Sequence, residues 1–255
     1  MMAPLATLGF ALGCGVLLWL VSLRLKDVSI IDIFWGPGIA GVVTITAGMA
    51  PMVGARGIIA LFLVNIWALR LALHIWARHH GEDHRYGAMR KKFGPRWWWW
   101  SFFQVFLLQV ILIWFVPAPL VAAVQTGGVP LGPLDLAGVA LAVAGLGFET
   151  VADAQLARFR RDPANTDKVM DRGLWGLSRH PNYFGETVMW WGFFLIGFSG
   201  SGAWWIALGP AIITVLLLKV SGVTLMEDGI TERRPKYAAY KNRVSAFVPW
   251  WPRTP

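Results

Sequence analysis

The sequence predicts an all-α, polytopic membrane helix bundle, and three observations support that prediction. Hydrophobic residues fill 56% of the 255 positions and charged residues only 15%, whereas soluble domains are about 25% charged. The mean hydropathy is +0.54, and the chain holds 16 tryptophans. The third observation is a series of apolar stretches, each close to the ~20 residues that a helix needs to cross a bilayer.

Seven apolar stretches follow one another, and we predict one membrane span for each. The second departs from the apolar pattern at Asp32 and at the Gly36-Pro37-Gly38 break, and the short sixth carries Glu186. No internal repeat or soluble second domain is visible, so residues 1–255 are predicted to form one membrane domain. The predicted spans cover residues 4–23, 30–50, 57–77, 101–123, 131–152, 182–199 and 203–226.

The placement of basic residues predicts the orientation, because Lys and Arg are retained on the cytoplasmic side. They crowd the segments 78–96 and 158–179 and the tail after residue 232, whereas the opposite connections contain only Arg56. We therefore expect the N-terminus outside, the C-terminus in the cytoplasm, and a multi-pass protein of a bacterial inner membrane. Trp97 to Trp100 open the fourth span, where indole rings favour the headgroup region.

The formal net charge of +9 is explained by this membrane topology, so no nucleic-acid partner is predicted. Anionic lipid headgroups or an anionic cofactor are the expected partners of the basic residues. The single cysteine, Cys14, excludes a disulfide within the chain, and no His, Cys, Asp or Glu spacing matches a zinc or di-iron site. No catalytic metal is predicted, and no P-loop or GxSxG motif is present.

The run GLWGLSRHPNYFGE, residues 173–186, places polar side chains at the start of the sixth span. Pro181 suits the first turn of a helix, whose N-terminal end attracts anions. Asn182 and Glu186 are spaced i, i+4 and share a face, and Gly185 between them leaves the backbone open to a ligand. Ordinary interfacial structure is the alternative, but an ionisable group one turn into a span requires a partner or a function.

A polar stripe is predicted on the fifth span, because Glu149, Asp153 and Arg160 lie within about 40° of one another on a helical wheel. A salt bridge that closes the bundle is the alternative reading of this stripe. A third cluster is GEDHRY, residues 81–86, which follows Arg70 of the third span. Arg70 lies deep enough in the membrane to require a carboxylate, and Asp32 is the candidate.

The four tyrosines all fall in the motifs predicted to face the cytoplasm, and none falls in the outer half of the bundle. Headgroup anchoring alone would place some of them on the outer side. Their asymmetry therefore favours a polar site on the inner side. They are Tyr86, Tyr183, Tyr237 and Tyr240.

The stretch ETVADAQLARFRRDPANTDKVMDRGLWGLSRHPNYFGETVMWWG, residues 149–192, resembles the core of the DUF1295 family, within the steroid 5-alpha-reductase C-terminal superfamily. DIFWG at 32–36, WALRL and GEDHRY within 67–86, and the ending Y..Y....SAFVPWWP at 237–252 extend the resemblance over most of the chain. The wider group includes steroid 5-alpha-reductases, sterol reductases and, more distantly, isoprenylcysteine carboxyl methyltransferases, which carry a version of RHPNYxG.

The resemblance implies an NADPH site that opens to the cytoplasm, with residues 149–255 as the cofactor-binding half and a reducible lipid entering from the membrane. Two departures from the reductase pattern concern acidic residues. Glu149 stands where steroid reductases usually have asparagine, and Asp32 is the closest carboxyl to their Gln-Glu pair in span two. Together with the basic residues that would neutralise phosphates, the cofactor-binding residues expected are Glu149, Asp153, Arg160, Arg172, Arg179, His180, Asn182 and Tyr240.

We therefore expect an NADPH-dependent reductase of an enone-like C=C bond in a lipid or steroid-like substrate. Clustered arginines would neutralise the cofactor phosphates, and the protein would supply orientation and a proton donor. The candidates that polarise the carbonyl or donate the proton are Tyr86, Tyr183 and Asp32, with Glu186 beside them.

The alternative is a membrane methyltransferase that uses S-adenosylmethionine, because RHPNY followed by EDGITERR, residues 227–234, also resembles the methyltransferase branch. Glu227 and Glu232 fit that alternative. Clustered arginine favours the polyanionic NADPH over the cationic sulfonium. A third interpretation, a non-enzymatic lipid-binding or scaffold protein, is opposed by the intramembrane Glu186 and Arg70.

Overall fold

The computed structural model describes residues 2–220 and 236–253, and within these ranges the chain forms helices and turns without a strand ladder. The predicted all-α class is confirmed. The helices are α1 Met2–Leu25, α2 Ile30–Met49, α3 Ala55–Trp76, α4 His84–Phe93, α5 Trp97–Ser101, α6 Leu108–Phe115, α7 Ala118–Gln125, α8 Pro133–Arg161, α9 Pro181–Ser201, α10 Leu208–Val215 and α11 Lys236–Arg243.

Five stretches of the described chain are long and apolar enough to cross a membrane. They are α1, α2, α3, the continuous helical stretch His84–Gln125 and α8. The sixth predicted span coincides with α9, which at 21 residues is long enough to cross a membrane but is not among the five sufficiently apolar stretches. The seventh coincides with the shorter apolar helix Trp204–Lys219, and its predicted end lies outside the described residues. The total of seven spans and the orientation stay predictions.

The chain divides into two compact units that are not contiguous in sequence. Unit 1 comprises Met1–Asp135 and Ile196–Ile206, and unit 2 comprises Leu136–Leu195 and Ala207–Pro255. Helices α8 and α9 therefore each contribute to both units. The single domain over residues 1–255, with residues 149–255 as its cofactor-binding half, stays a prediction.

In unit 1, α2 packs closely against α3 and continues through its Gly36-Pro37-Gly38 break. Proline removes one helical hydrogen bond, yet α2 extends without interruption to Met49. A Cβ added at Gly36 would lie 2.6 Å from the Ala68 carbonyl oxygen of α3. The glycine therefore allows the two backbones to approach closely, as small residues do between membrane helices.

Arg56 has a structural role that the sequence did not reveal. Its guanidinium pairs with Asp135 at 2.7 Å, and both side chains are buried. Arg56 also donates to the carbonyls of Val129 and Pro130, while Asp135 accepts from the Ser199 hydroxyl. Arg56, the one basic residue in the connections predicted to face outward, therefore forms a buried ion pair that joins the starts of α3 and α8.

In unit 2, α8 and α9 cross at glycines on both helices. A Cβ at Gly185 of α9 would lie 2.6 Å from the Glu149 amide nitrogen and 2.7 Å from the Gly145 carbonyl oxygen. One at Gly192 would lie 2.5 Å from the Ala142 amide nitrogen. Gly185 therefore faces the backbone of α8. The prediction that it leaves the backbone of α9 open to a ligand is wrong, because α8 occupies that space. This close crossing fixes which residues of the two helices face each other.

Candidate functional site

The polar residues predicted from the sequence fall into two groups, one in each unit. Asp32 and Tyr86 lie in unit 1, and the other ten lie in unit 2. We call the first group, Asp32 with Arg85, Tyr86 and Gln109, the Asp32 cluster. We call the second, Glu149 and Asp153 of α8 with His180, Asn182 and Tyr183 around the start of α9, the Asn182 cluster.

The Asp32 cluster is a hydrogen-bonded network between α2, α4 and α6. The Tyr86 hydroxyl donates to Asp32 Oδ1 at 2.8 Å, and the Gln109 amide donates to the Tyr86 oxygen at 3.1 Å. Trp35 Nε1 donates to the other end of the Gln109 side chain, Oε1, at 2.6 Å. Arg85 Nη2 contacts Asp32 Oδ2 at 3.2 Å. Each of these polar groups is thus held in one orientation by a neighbour.

Apolar side chains surround the Tyr86 ring. Tyr86 is buried in a hydrophobic cluster with Val28, Ile31, Trp97 and Phe106. A phenol that is hydrogen-bonded to a carboxylate and enclosed by apolar groups interacts more strongly than the same pair in water. The arrangement can therefore hold and transfer a proton next to an apolar molecule.

The loop before α4 positions the Asp32 cluster. Asp83 is the N-cap of α4, and its carboxylate accepts from the Arg85 amide at 2.9 Å and from Arg85 Nε at 2.9 Å. Burial raises the pKa of Asp83, but the hydrogen bonds and charge of Arg85 outweigh burial and lower the pKa below its usual value. Asp83 thereby holds Arg85, which in turn reaches Asp32. Arg70 was the predicted partner of Asp32, but Asp32 accepts its hydrogen bonds from Tyr86 and Arg85 instead.

The Asn182 cluster forms because α9 begins at Pro181, as the sequence predicted. Asn182, in the first turn, donates from Nδ2 to Asp153 Oδ1 at 3.1 Å. Asp153 and Glu149 are one turn apart on α8, and both are buried. The His180 and Tyr183 rings stack with centroids 5.5 Å apart and an interplanar angle of 8°. A buried carboxylate, an amide and an imidazole are thus gathered at the start of one helix.

The C-terminal segment is attached to the run that precedes α9. Arg179 Nη1 donates to the Lys241 and Val244 carbonyls, and the Tyr240 hydroxyl donates to the Trp175 carbonyl at 2.7 Å. The Arg179 amide donates to the Ser245 carbonyl at 2.8 Å. Two predicted cofactor residues, Arg179 and Tyr240, therefore also connect two segments of the backbone.

The remaining predicted residues lie at the edge of unit 2 or further along α9. Arg160, at the end of α8, and Arg172, just before Gly173, are exposed. Glu186 is half-buried one turn after Asn182. Glu227 and Glu232, which the methyltransferase alternative used, lie outside the described residues.

Sequence reasoning missed residues that hold the run 173–180 against α8 and against the C-terminal segment. The Leu174 amide donates to Gln155 Oε1 at 3.0 Å, and Trp175 Nε1 donates to the Ala152 carbonyl at 2.9 Å. Gly173 has a φ of 61°, which glycine adopts without strain. Ser178 bonds the Phe247 carbonyl at 2.7 Å. Gly173 alone among these residues could be recognised from the sequence, as a residue type that favours a turn. Gln155 and Ser178 bond main-chain groups, which are the same in every residue and leave no pattern in the sequence.

NADPH fits the donor set of the Asn182 cluster. The Asp153 and Glu149 carboxylates can accept from ribose hydroxyls or a carboxamide, and Asn182 can donate. Phosphates are satisfied by cations and by the N-terminus of a helix. Arg160 and Arg172 are exposed in unit 2, where they would hold the phosphate groups.

The fold and the two clusters define a polytopic, all-helical membrane protein with ionisable groups inside its apolar helices. The chain belongs to the DUF1295 family, described as a protein of unknown function, which matches residues 18–244.

Two curated proteins are similar to this chain. An uncharacterized protein of Schizosaccharomyces pombe is 25% identical over 266 residues, covering 92% of this chain and 76% of the relative. A Delta(14)-sterol reductase of Aspergillus fumigatus is 34% identical over 103 residues, covering 33% of this chain and 20% of the reductase. No solved structure matches the chain. Both relatives are eukaryotic, so they give no support to the expected bacterial inner membrane.

Proposed function

We propose that the protein is an NADPH-dependent membrane reductase of a C=C bond conjugated to a carbonyl, in a lipid or steroid-like substrate. The observation that most supports this proposal is the Tyr86–Asp32 hydrogen bond inside an apolar cluster. The partial similarity to a sterol reductase agrees with it. Reduction of a conjugated C=C bond needs a proton donor for the carbonyl or the resulting enolate, and an apolar substrate places that donor in a dry environment.

Tyr86 and Asp32 would act together in the proposed reaction. When the Asp32 carboxyl carries a proton, it donates to the Tyr86 oxygen, and the phenolic proton can then be donated to a substrate carbonyl. Transfer of the phenolic proton to the substrate carbonyl oxygen leaves a Tyr86 phenolate, and the Asp32 carboxyl then gives its proton to that phenolate. Gln109 Nε2 donates to the same phenolic oxygen and stabilises its negative charge.

The Asn182 cluster would hold the cofactor. NADPH, when bound, supplies a hydride to the β-carbon of a polarised C=C bond. Asp153 and Glu149 would accept hydrogen bonds from the cofactor, and the Asn182 amide, already oriented by Asp153, would donate one. Tyr183 is a second candidate proton donor, because it lies in this cluster and its ring is stacked on His180.

Cofactor titration of the purified protein tests the proposal. A bound ligand stabilises the folded state by mass action, so we expect NADPH to raise the Tm and S-adenosylmethionine to leave it unchanged. Asn182→Ala should lower the affinity for NADPH roughly tenfold, because a hydrogen bond to the cofactor is lost. Asn65→Ala is the matched control, since among the residues that the structure describes the exposed Asn65 amide bonds only its own helix, at the Leu61 carbonyl.

Stabilisation by S-adenosylmethionine alone would support the methyltransferase alternative and contradict a reductase. Equal NADPH affinity in wild type and Asn182→Ala would contradict the assignment of the Asn182 cluster. A difference between Tyr86→Phe and Tyr183→Phe in turnover at unchanged NADPH affinity would identify the proton donor.

A further inference from the structure

The cations around α4 form two sets that differ in their partners. Arg85 pairs with Asp83 and Asp32, and Arg90 pairs with Glu82 at 2.7 Å. These two arginines are therefore neutralised within the protein. The second set, Lys91, Lys92 and Arg96, differs because no carboxylate of residues 2–220 or 236–253 lies within ion-pair distance of it.

The second set lines one surface groove of about 500 Å³, between the end of α4 and the start of α5. Phe93, Gly94 and Pro95 also line it, and Lys92 Nζ lies 5.7 Å from the Phe93 ring centroid. Gly94 has a φ of 53°, so the chain turns sharply there and brings cations from both sides of the bend together. All three cationic residues are exposed.

Tryptophan residues come directly after the groove residues in the chain. Trp97 is buried, but Trp98 and Trp100 are 59% and 36% exposed. The apolar part of the His84–Gln125 stretch comes next. Exposed indoles beside an apolar span are typical of the membrane–water interface. We therefore expect the positive charge of the groove, which no carboxylate of the described residues neutralises, to lie at the level of the lipid phosphates.

We propose that the groove lined by Lys91, Lys92 and Arg96 binds the phosphate of an anionic membrane phospholipid. A phosphodiester supplies the negative charge that the groove lacks, and the lipid tails follow the surface beside Trp98 and Trp100. Basic clusters at the end of a membrane span attract anionic lipids. This site requires neither NADPH nor a reducible substrate, so it is independent of the proposed function.

The test is a thermal-stability titration of the purified protein in neutral detergent. Short-chain phosphatidylglycerol is compared with short-chain phosphatidylcholine and with inorganic phosphate. We expect phosphatidylglycerol alone to raise the Tm, and the rise to shrink as salt is added, because salt screens exposed charges. The triple variant Lys91→Gln, Lys92→Gln, Arg96→Gln should bind it roughly a hundredfold more weakly.

A charge-matched control separates the groove from net charge. Arg24→Gln, Arg158→Gln and Arg253→Gln together remove the same charge from three other exposed positions. This control should retain the affinity of the wild type for phosphatidylglycerol. Equal loss of affinity in the control, equal stabilisation by phosphatidylcholine, or no response of the wild type would overturn the proposal. Stabilisation by inorganic phosphate at equal concentration would show a free-anion site and would also overturn it.

Discussion

Two buried tyrosines differ in the groups that accept their hydrogen bonds. Tyr86 and Tyr240 are both buried, and both donate from their hydroxyl groups. The acceptor of Tyr86 is the Asp32 carboxylate, which can exchange a proton. The acceptor of Tyr240 is the Trp175 carbonyl, which cannot. The chemistry of the acceptor therefore favours Tyr86 as a proton donor and gives Tyr240 a role in holding the C-terminal segment.

Asp83 combines two effects that substitution can separate. Asn caps a helix about as well as Asp, so Asp83→Asn removes the charge and keeps the cap, whereas Asp83→Ala removes both and should lose about 1 kcal/mol more. The pKa of Asp83 in the folded state is lowered from its ordinary value of 3.8. The Asp83 charge therefore stabilises the protein fully at pH values above 3.8. This stabilisation disappears as the pH falls through the lower folded-state pKa.

Thermal unfolding at several pH values measures these differences. We expect the gap between wild type and Asp83→Asn to be full near neutral pH and to close in acid. The gap between Asp83→Asn and Asp83→Ala should remain at all pH values. A gap between wild type and Asp83→Asn that widened in acid would show that the carboxylate is not stabilised by Arg85.

At the scale of helices, the crossing of α8 and α9 determines the Asn182 cluster. The glycine contacts set the register, and Asp153 then lies opposite Asn182. The sequence predicted the start of α9 and the stripe of Glu149 and Asp153. It could not show which face Gly185 presents, because helix rotation depends on packing between residues distant in the chain. For the same reason it missed Gln155 and Ser178, whose partners are backbone groups.

Two glycines of α8 provide a matched pair of substitutions. A Cβ at Gly145 would lie 2.5 Å from the Gly185 carbonyl oxygen, so Gly145→Ala must separate the helices and should cost about 1–3 kcal/mol. Gly147 is exposed with no atom within 4 Å of an added Cβ. Gly147→Ala should stabilise α8 by roughly 0.5–1 kcal/mol, because alanine favours helix.

Thermal unfolding of the two variants in the same detergent measures this contrast. Gly145→Ala should also weaken NADPH binding, because it displaces Asp153 from Asn182. Equal stability of the two variants would contradict the close crossing.

At the scale of the whole molecule, composition and hydropathy were sufficient for the helical membrane class, whereas the family was predicted from motifs such as the run in residues 149–192. Span boundaries were predicted well where the helix is apolar throughout, as for α1 and α3. They were predicted less well where charged residues continue a helix, as in α8, which extends to Arg161 although the fifth span was predicted to end at residue 152. Arg56 illustrates another limit, because positional statistics treat it as an exposed loop charge. Its burial against Asp135 depends on three distant segments that meet only in the folded chain.

The central claim is that hydride passes from NADPH to a lipid C=C bond. The most direct test incubates the membrane-reconstituted protein with lipid extract and NADPH. Two NADPH samples are compared, each with deuterium on one of the two faces of the nicotinamide. We expect one lipid to lose a double bond and to gain a single deuterium at carbon, and Tyr86→Phe to slow this conversion. Absence of deuterium from every lipid, with transfer of a labelled methyl group from S-adenosylmethionine instead, would contradict the claim.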